Sequence, residues 1–124
     1  MTIIAKPDDK NTIAAKSFAF ALRVIKAYKY LTAQNEYVLS KQLLRSGTSI
    51  GANCREAKNA QSRLDFINKL NIALKEADET SYWLELLHAG GYIDEQSYTS
   101  IYEDCVELIK LLTSIIKTTK DTTN

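Results

Sequence analysis

The chain has 124 residues, of which 45% are hydrophobic and 25% charged, and its formal net charge is +1. A chain of this length is expected to form one soluble domain, because two separate cores would each bury too little apolar surface. Its one proline and four glycines are too few for a β-sandwich or barrel rich in tight turns and favour helices. The sequence lacks a membrane span and the pattern of a signal peptide, which predicts a cytoplasmic protein without a membrane partner.

The charges are divided unevenly along the chain. Residues 1–62 hold 10 Lys and Arg against 4 Asp and Glu, and residues 63–124 hold 6 against 11, so the balances are +6 and −5. Such an asymmetry is typical of a protein with a basic face or with head-to-tail association. It also arises when neighbouring helices of one chain attract one another, and the sequence leaves both interpretations open.

Four segments repeat apolar residues at three- and four-residue spacing, which predicts helices over about 12–34, 40–60, 62–89 and 95–118. Ser40 is predicted to cap the second helix, and Ser62 with Asp65 resembles a capping box at the third. The glycines of "HAGGYID" predict the end of the third helix, and "KTTKDTTN" is predicted to be a frayed tail. The short connections favour an all-α fold, an antiparallel up-down-up-down four-helix bundle that forms a single domain over 1–124.

The first predicted helix has two apolar stripes. One contains Phe18, Ala21, Ile25, Tyr28 and Thr32, and the other contains Phe20, Val24, Ala27 and Leu31. This apolar arc is wider than one contact of a bundle requires, so part of it is expected to face another subunit. The charged residues of this helix are all basic, which gives its exposed remainder a positive charge.

The second predicted helix carries weak helix formers in "LLRSGTSIGANCREAKNA", residues 43–60. Gly47 and Gly51 lie four residues apart, and we expect close approach of a neighbouring helix to offset their cost of about 1 kcal/mol each. A second, polar stripe contains Arg45, Ser49, Asn53 and Glu56. Arg55 lies next to this stripe, and Glu79 of the third helix is expected to pair with Arg45, Arg55 or Arg23. Three interpretations of the polar stripe stay open: an intersubunit ladder, a phosphate-binding face or a solvated face.

The run "LSKQLLRSGTSIGANCREA" (39–57), followed by "ALKEADETSYWLELL" (73–87), resembles the four helix bundle protein family. Founding members of that family are encoded by intervening sequences within bacterial 23S rRNA genes. The resemblance extends from "FALRVIKAYKYL" (20–31) to the C-terminal helix and implies a homopentameric ring. It also implies kinship with the accessory variability proteins of diversity-generating retroelements, basic barrels thought to bind nucleic acid and a reverse transcriptase. The net charge of +1 departs from that strongly basic pattern.

No catalytic constellation is visible in the sequence. His88, the single histidine, lies at the end of the third predicted helix, where a capping role is expected. Cys54 and Cys105 have no partners at metal-ligand spacing and are predicted to be buried thiols. Glu76 and Glu79 share a helix face but lack the Glu-x-x-His motif of a di-metal bundle site. We predict no enzymatic activity, no metal and no cofactor.

Two functions are compatible with these features. The first is a nucleic-acid-binding assembly that contacts the phosphates of structured RNA or DNA through basic side chains repeated around a ring. The side chains assigned to these contacts are Lys16, Arg23, Lys26, Lys29 and Lys41. The second is a protein-interaction scaffold that docks another protein, such as a polymerase, through exposed tyrosines such as Tyr30, Tyr37 and Tyr92.

Overall fold

The computed structural model describes residues 12–122 and contains four α-helices and no strand within that range. The helices are α1 (Ile13–Ala33), α2 (Leu39–Lys58), α3 (Arg63–Ala89) and α4 (Glu95–Asp121). The all-helical prediction is confirmed. The frayed tail predicted for 117–124 is wrong as far as Asp121, which is still helical, and residues 123–124 lie outside the described range.

The helices enclose one core, and each helix packs against two neighbours. The contacts are α1 with α2, α2 with α3, α3 with α4 and, much less extensively, α4 with α1. The core is built mainly from aliphatic side chains that are at most 1% exposed, and each contributes roughly 1.5–3 kcal/mol by its burial. The largest of them are Leu31, Leu43, Ile50, Leu70, Leu84, Leu87, Leu108 and Leu112.

The two apolar stripes of α1 differ in their exposure to solvent. Phe20, Val24 and Leu31 of one stripe are at most 2% exposed and lie in the core. Phe18 and Ile25 of the other stripe are 58% and 36% exposed. Leu22 lies between them and is 51% exposed, so α1 presents apolar side chains to solvent as well as to the core.

The connection between α1 and α2 is built around Asn35 and Glu36. Asn35 has a φ of 67°, the left-handed conformation that ends many helices and that asparagine adopts more readily than most residues. The backbone N–H of Asn35 donates to the carbonyl of Thr32, and the N–H of Glu36 donates to that of Leu31, both at 3.0 Å. Together with the N–H of Gln34, which also donates to the Leu31 carbonyl at 3.0 Å, these groups satisfy carbonyl oxygens at the end of α1.

The carboxylate of Glu36, rather than a hydroxyl, caps α2. Its oxygens accept hydrogen bonds from the backbone N–H groups of Val38, Leu39 and Ser40 at 3.3, 3.1 and 2.6 Å. The predicted N-cap role of Ser40 is wrong, because Glu36 already holds these groups and Ser40 lies inside the helix. The Ser40 hydroxyl is buried and has no hydrogen-bond partner within the described residues.

The helices α3 and α4 each begin with a side-chain cap. Ser62 accepts a hydrogen bond from the N–H of Asp65 at 3.0 Å, which confirms the N-cap of α3. Asp94 caps α4 by accepting from the N–H of Ser97 at 2.7 Å. At the other end of α3, Gly91 adopts a φ of 84°, as expected for a glycine that terminates a helix.

The two glycines of α2 face α1 at different distances. A Cβ atom added to Gly47 would lie 2.7 Å from Cγ2 of Val24, closer than carbon atoms approach one another. A Cβ atom added to Gly51 would lie 3.4 Å from the Oγ of Ser17, at ordinary contact distance. The close approach of the helix backbones therefore depends on Gly47, whereas Gly51 leaves room for a methyl group.

Candidate functional site

Two of the five basic residues assigned to phosphate contacts are neutralised within the chain. Lys16 forms an ion pair with Glu107 of α4, with 2.9 Å between Nζ and Oε2. Arg23 forms an ion pair with Asp104 of α4 at 2.6 Å and also donates to the Oγ of Ser100. These two side chains bridge α1 and α4, so their charges are compensated before any ligand arrives.

The other three, Lys26, Lys29 and Lys41, are exposed and have no carboxylate partner among residues 12–122. Lys26 and Lys29 lie on the second half of α1, and Lys41 lies in the first turn of α2. The acidic residue between them, Glu36, is 8% exposed and is used to cap α2. We call these three lysines the basic end of the molecule.

Two exposed tyrosines lie beside the basic end. Tyr30 is 55% exposed on the last turns of α1, and Tyr37 is 54% exposed in the connection to α2. The hydroxyl of Tyr37 donates to the side-chain oxygen of Asn35 at 2.8 Å. Aromatic rings next to unpaired lysines supply both a stacking surface and positive charge, the combination that single-stranded segments of nucleic acid bind.

The polar stripe of α2 is engaged within the chain, and its first member contacts α3. Arg45 donates to Glu76 at 3.3 Å and also pairs with Glu79. Of the three arginines considered for Glu79, Arg45 is therefore the partner. The indole N–H of Trp83 donates to the same Glu79 carboxylate at 3.0 Å, which satisfies the polar atom of this half-buried ring.

The other members of the stripe do not bond to one another's side chains. The Ser49 hydroxyl donates to the carbonyl of Arg45 at 2.6 Å, and the Asn53 amide donates to that of Ser49 at 2.9 Å. Glu56 pairs with Lys69 of α3 at 3.0 Å, and this carboxylate raises the pKa of Lys69. Arg55 is exposed and lines a groove between α1 and α2. An intersubunit ladder would have to exchange several of these contacts for new ones.

A buried polar contact between α2 and α3 escaped the sequence reasoning. The hydroxyl oxygens of Ser46 and Thr80 lie 2.9 Å apart, and both residues are fully buried. The signal was present, because each is a small polar residue at an apolar position of its helix. The Thr80 hydroxyl also lies 2.7 Å from the carbonyl of Glu76 on its own helix, whereas Thr80 is the partner given for Ser46, so the pair fixes the alignment of the two helices through the buried Ser46 hydroxyl.

Neither cysteine has the properties of a nucleophile. Cys54 and Cys105 are both buried and free, as predicted. Burial raises the pKa of the Cys105 thiol to about 12 and raises that of Cys54 as well, so both thiols stay protonated near neutral pH.

His88 pairs with Glu95 at 2.9 Å and stacks on the ring of Tyr98, with 4.1 Å between ring centres.

Residues 12–122 contain neither a metal-binding cluster of side chains nor a membrane-spanning helix. No group of three or more His, Cys, Asp and Glu side chains is placed to hold a metal ion. No helix in the described part of the chain is both long and apolar enough to cross a membrane.

Comparison with known proteins gives a family. Residues 9–114 match the family described as 23S rRNA-intervening sequence protein. A crystal structure at 1.70 Å resolution, of a protein with unknown function from the S23 ribosomal protein family of Bacteroides thetaiotaomicron VPI-5482, is 62% identical to this chain. The match covers 86% of this chain and 99% of that one, with a TM-score of 0.85. No curated protein matches this sequence. The chain belongs to the 23S rRNA-intervening sequence protein family.

Proposed function

We propose that the protein is a non-enzymatic, homo-oligomeric four-helix bundle of the cytoplasm that binds phosphates of structured nucleic acid through its basic end. The observation that carries this proposal is the contrast among the basic residues. Lys26, Lys29 and Lys41 are exposed without carboxylate partners in the described chain, whereas Lys16 and Arg23 are paired. Unpaired lysines retain their charge for phosphates, which supply most of the affinity in sequence-independent binding.

The proposal takes neighbouring helices as antiparallel, in up-down-up-down order. Support comes from the ion pairs between α1 and α4, in which Lys16 contacts Glu107 and Arg23 contacts Asp104. The residue numbers increase along α1 while those of the partners decrease along α4, as they do between antiparallel helices. The same inverse order relates α2 to α3 through the pairs of Arg45 and Glu56. In this arrangement the α1–α2 and α3–α4 connections share one end of the bundle, so the exposed Tyr92 lies at the end that carries the lysines.

Self-association is supported by the exposed apolar side chains of α1. Phe18, Leu22 and Ile25 recur at spacings of four and three residues, so they form one exposed stripe. A homopentameric ring is what the family resemblance implies, and kinship with the accessory variability proteins would extend that comparison. A ring repeats the basic end around its axis, which multiplies weak phosphate contacts through effective concentration.

Sedimentation velocity tests the association. Leu22→Glu places a charge in the exposed stripe and should shift the assembly towards the chain mass of 14.0 kDa. Asn68→Glu, an exposed position on α3, adds the same charge and should leave the mass unchanged. A wild-type protein that sediments as a monomer would refute the homo-oligomer.

Fluorescence anisotropy with a structured RNA and a duplex DNA, each in about 50 and 200 mM salt, tests the nucleic-acid part. We expect micromolar or tighter binding at the lower salt. If two copies of the chain face the ligand with three lysines each, affinity should fall about 10³-fold at the higher salt. The difference between the RNA and DNA curves identifies the preferred nucleic acid.

A charge-matched pair of variants separates the basic end from general electrostatics. Replacing Lys26, Lys29 and Lys41 together by Gln should abolish measurable binding. Replacing Lys75, Lys110 and Lys117 by Gln removes the same charge from exposed positions of α3 and α4 and should change affinity little. Equal losses in the two variants would contradict the assignment.

The alternative is a protein-interaction scaffold, and the exposure of Tyr30, Tyr37 and Tyr92 supports it, because tyrosine is enriched at protein interfaces. Absence of nucleic-acid binding at 50 mM salt would reject the first proposal in favour of this one. The search would then turn to a protein partner, such as a polymerase, with Tyr30→Ala and Tyr37→Ala as reporter variants.

A further inference from the structure

The limited contact between α1 and α4 leaves a cavity of about 360 Å³ that reaches from the surface to the core. Its floor is apolar and includes Leu84, Leu87 and Ile101, which are at most 7% exposed. Its wall on α1 includes Ala27, whose small side chain leaves space between Tyr30 and Leu31 on one side and Arg23 and Lys26 on the other. This volume lies in the range of pockets that hold small organic molecules.

The mouth of the cavity carries one cation that is available to a ligand. Arg23 and Lys26 both line it, but Arg23 is already paired with Asp104 and hydrogen-bonded to Ser100. Lys26 has no carboxylate partner among the described residues. A ligand with a single negative charge therefore meets an uncompensated ammonium at the rim and aliphatic side chains below it.

The acidic residue at the rim is Asp94, and its carboxylate is already hydrogen-bonded within the chain. Its carboxylate accepts hydrogen bonds from Ser97 at the start of α4, which keep its pKa below the ordinary value. A polyphosphate such as a nucleotide would bring several charges to one free cation beside this carboxylate, and its sugar would lack partners on the apolar floor. A monocarboxylate with an aliphatic tail matches both surfaces.

We propose that this cavity binds a medium-chain carboxylic acid, with its carboxylate on Lys26 and its tail against Ala27, Leu84 and Ile101. This site shares Lys26 with the basic end, whereas Lys29 and Lys41 do not line the cavity, so octanoate binding and nucleic-acid binding are separated by the Lys29 variant. It is distinct from self-association, because Phe18, Leu22 and Ile25 lie outside its lining.

Methyl-TROSY spectra of the Ile- and Leu-labelled protein, recorded during titration with sodium octanoate, test the proposal and remain readable for an assembly. We expect saturable shifts confined to methyl groups of the lining, among them Ile93, Ile101 and Leu84. Acetate, which has the head without the tail, should give no saturable shift. 1-Octanol should bind about tenfold more weakly, the loss expected for one charge-assisted hydrogen bond. Equal affinity for octanol would overturn the role of Lys26.

Two matched variants complete the test. Lys26→Gln should weaken octanoate binding about tenfold, whereas Lys29→Gln, one turn away and outside the cavity, should change it less than about twofold. Ala27→Leu places a larger side chain where the aliphatic tail is proposed to lie and should weaken binding. Undiminished binding by Ala27→Leu, or shifts spread over the surface without saturation, would overturn the site. If Ala27→Leu does not fold, the comparison between the two lysine variants decides.

Discussion

α1 is held by its two neighbours in different ways. Against α2 it packs through Gly47, which lets Val24 approach the backbone of the facing helix. Against α4 it is bridged by the ion pairs of Lys16 and Arg23, and the contact between these two helices is much less extensive. Close packing resists displacement, whereas half-exposed ion pairs contribute little and weaken with salt. The stability of the bundle on this side therefore resides in the α1–α2 contact.

The largest effect is expected for Gly47→Leu. Val24 is fully buried and β-branched, so it has little freedom to move away from a new side chain. The free energy of unfolding, measured in urea, should fall by about 3 kcal/mol, the upper part of the range for an overpacked core. A loss below about 1 kcal/mol would show that α1 shifts without cost and that its contact with α2 is not close-packed.

A compensating substitution identifies the cause of that loss. Val24→Ala removes the two methyl groups that an added Cβ atom would meet at 2.7 and 2.9 Å. In the background of Gly47→Leu it should therefore destabilise less than it does in the wild-type chain. Additive effects of the two changes would mean that Gly47 and Val24 do not compete for the same space.

A smaller effect of the opposite sign is expected for Gly51→Ala. Its new methyl group would rest at ordinary contact distance from Ser17, and alanine forms helix better than glycine. The free energy of unfolding should rise by about 0.5–1 kcal/mol. Gly47→Ala, one turn earlier on the same helix, is the matched control and should not be stabilising. Equal gains at both positions would remove the distinction between the two glycines.

The smallest effect is expected at the α1–α4 contact. A double-mutant cycle of Lys16→Gln and Glu107→Gln should give a coupling of about 0.2–1 kcal/mol, because both side chains remain partly exposed. The coupling should decrease further in about 1 M salt, where charges are screened within a few ångströms. A salt-independent coupling above about 2 kcal/mol would show that α4 holds α1 as firmly as α2 does.

Most of the fold could be predicted because its signals are local. The N-cap of α3 at Ser62 and the left-handed glycine that ends it are set by residues within a few positions of one another. The start of α2 was predicted to within one residue, but its cap was not, because Glu36 reaches forward over four residues to Ser40, a longer span than the usual N-cap pattern.

The sequence names the basic side chains of the candidate site, but it does not indicate which of them form ion pairs within the chain. The sequence identified the five basic side chains, and only the tertiary structure separates them into two sets. Lys16 and Glu107 are 91 residues apart, and Arg23 and Asp104 are 81 apart, so no local pattern indicates that they meet. Glu79 was assigned a basic partner, and the choice of Arg45 among three arginines likewise depends on how α2 and α3 align.

Glu36 has a consequence for the length of the connection that contains it. Its backbone N–H completes the end of α1 at Leu31, while its carboxylate begins α2 by holding the N–H groups of Val38, Leu39 and Ser40. One residue inserted between Leu31 and Glu36 would break the first set of bonds, and one inserted between Glu36 and Ser40 would break the second. This connection is therefore a poor place for insertions or for a circular-permutation break, even though Tyr37 and Val38 within it are exposed.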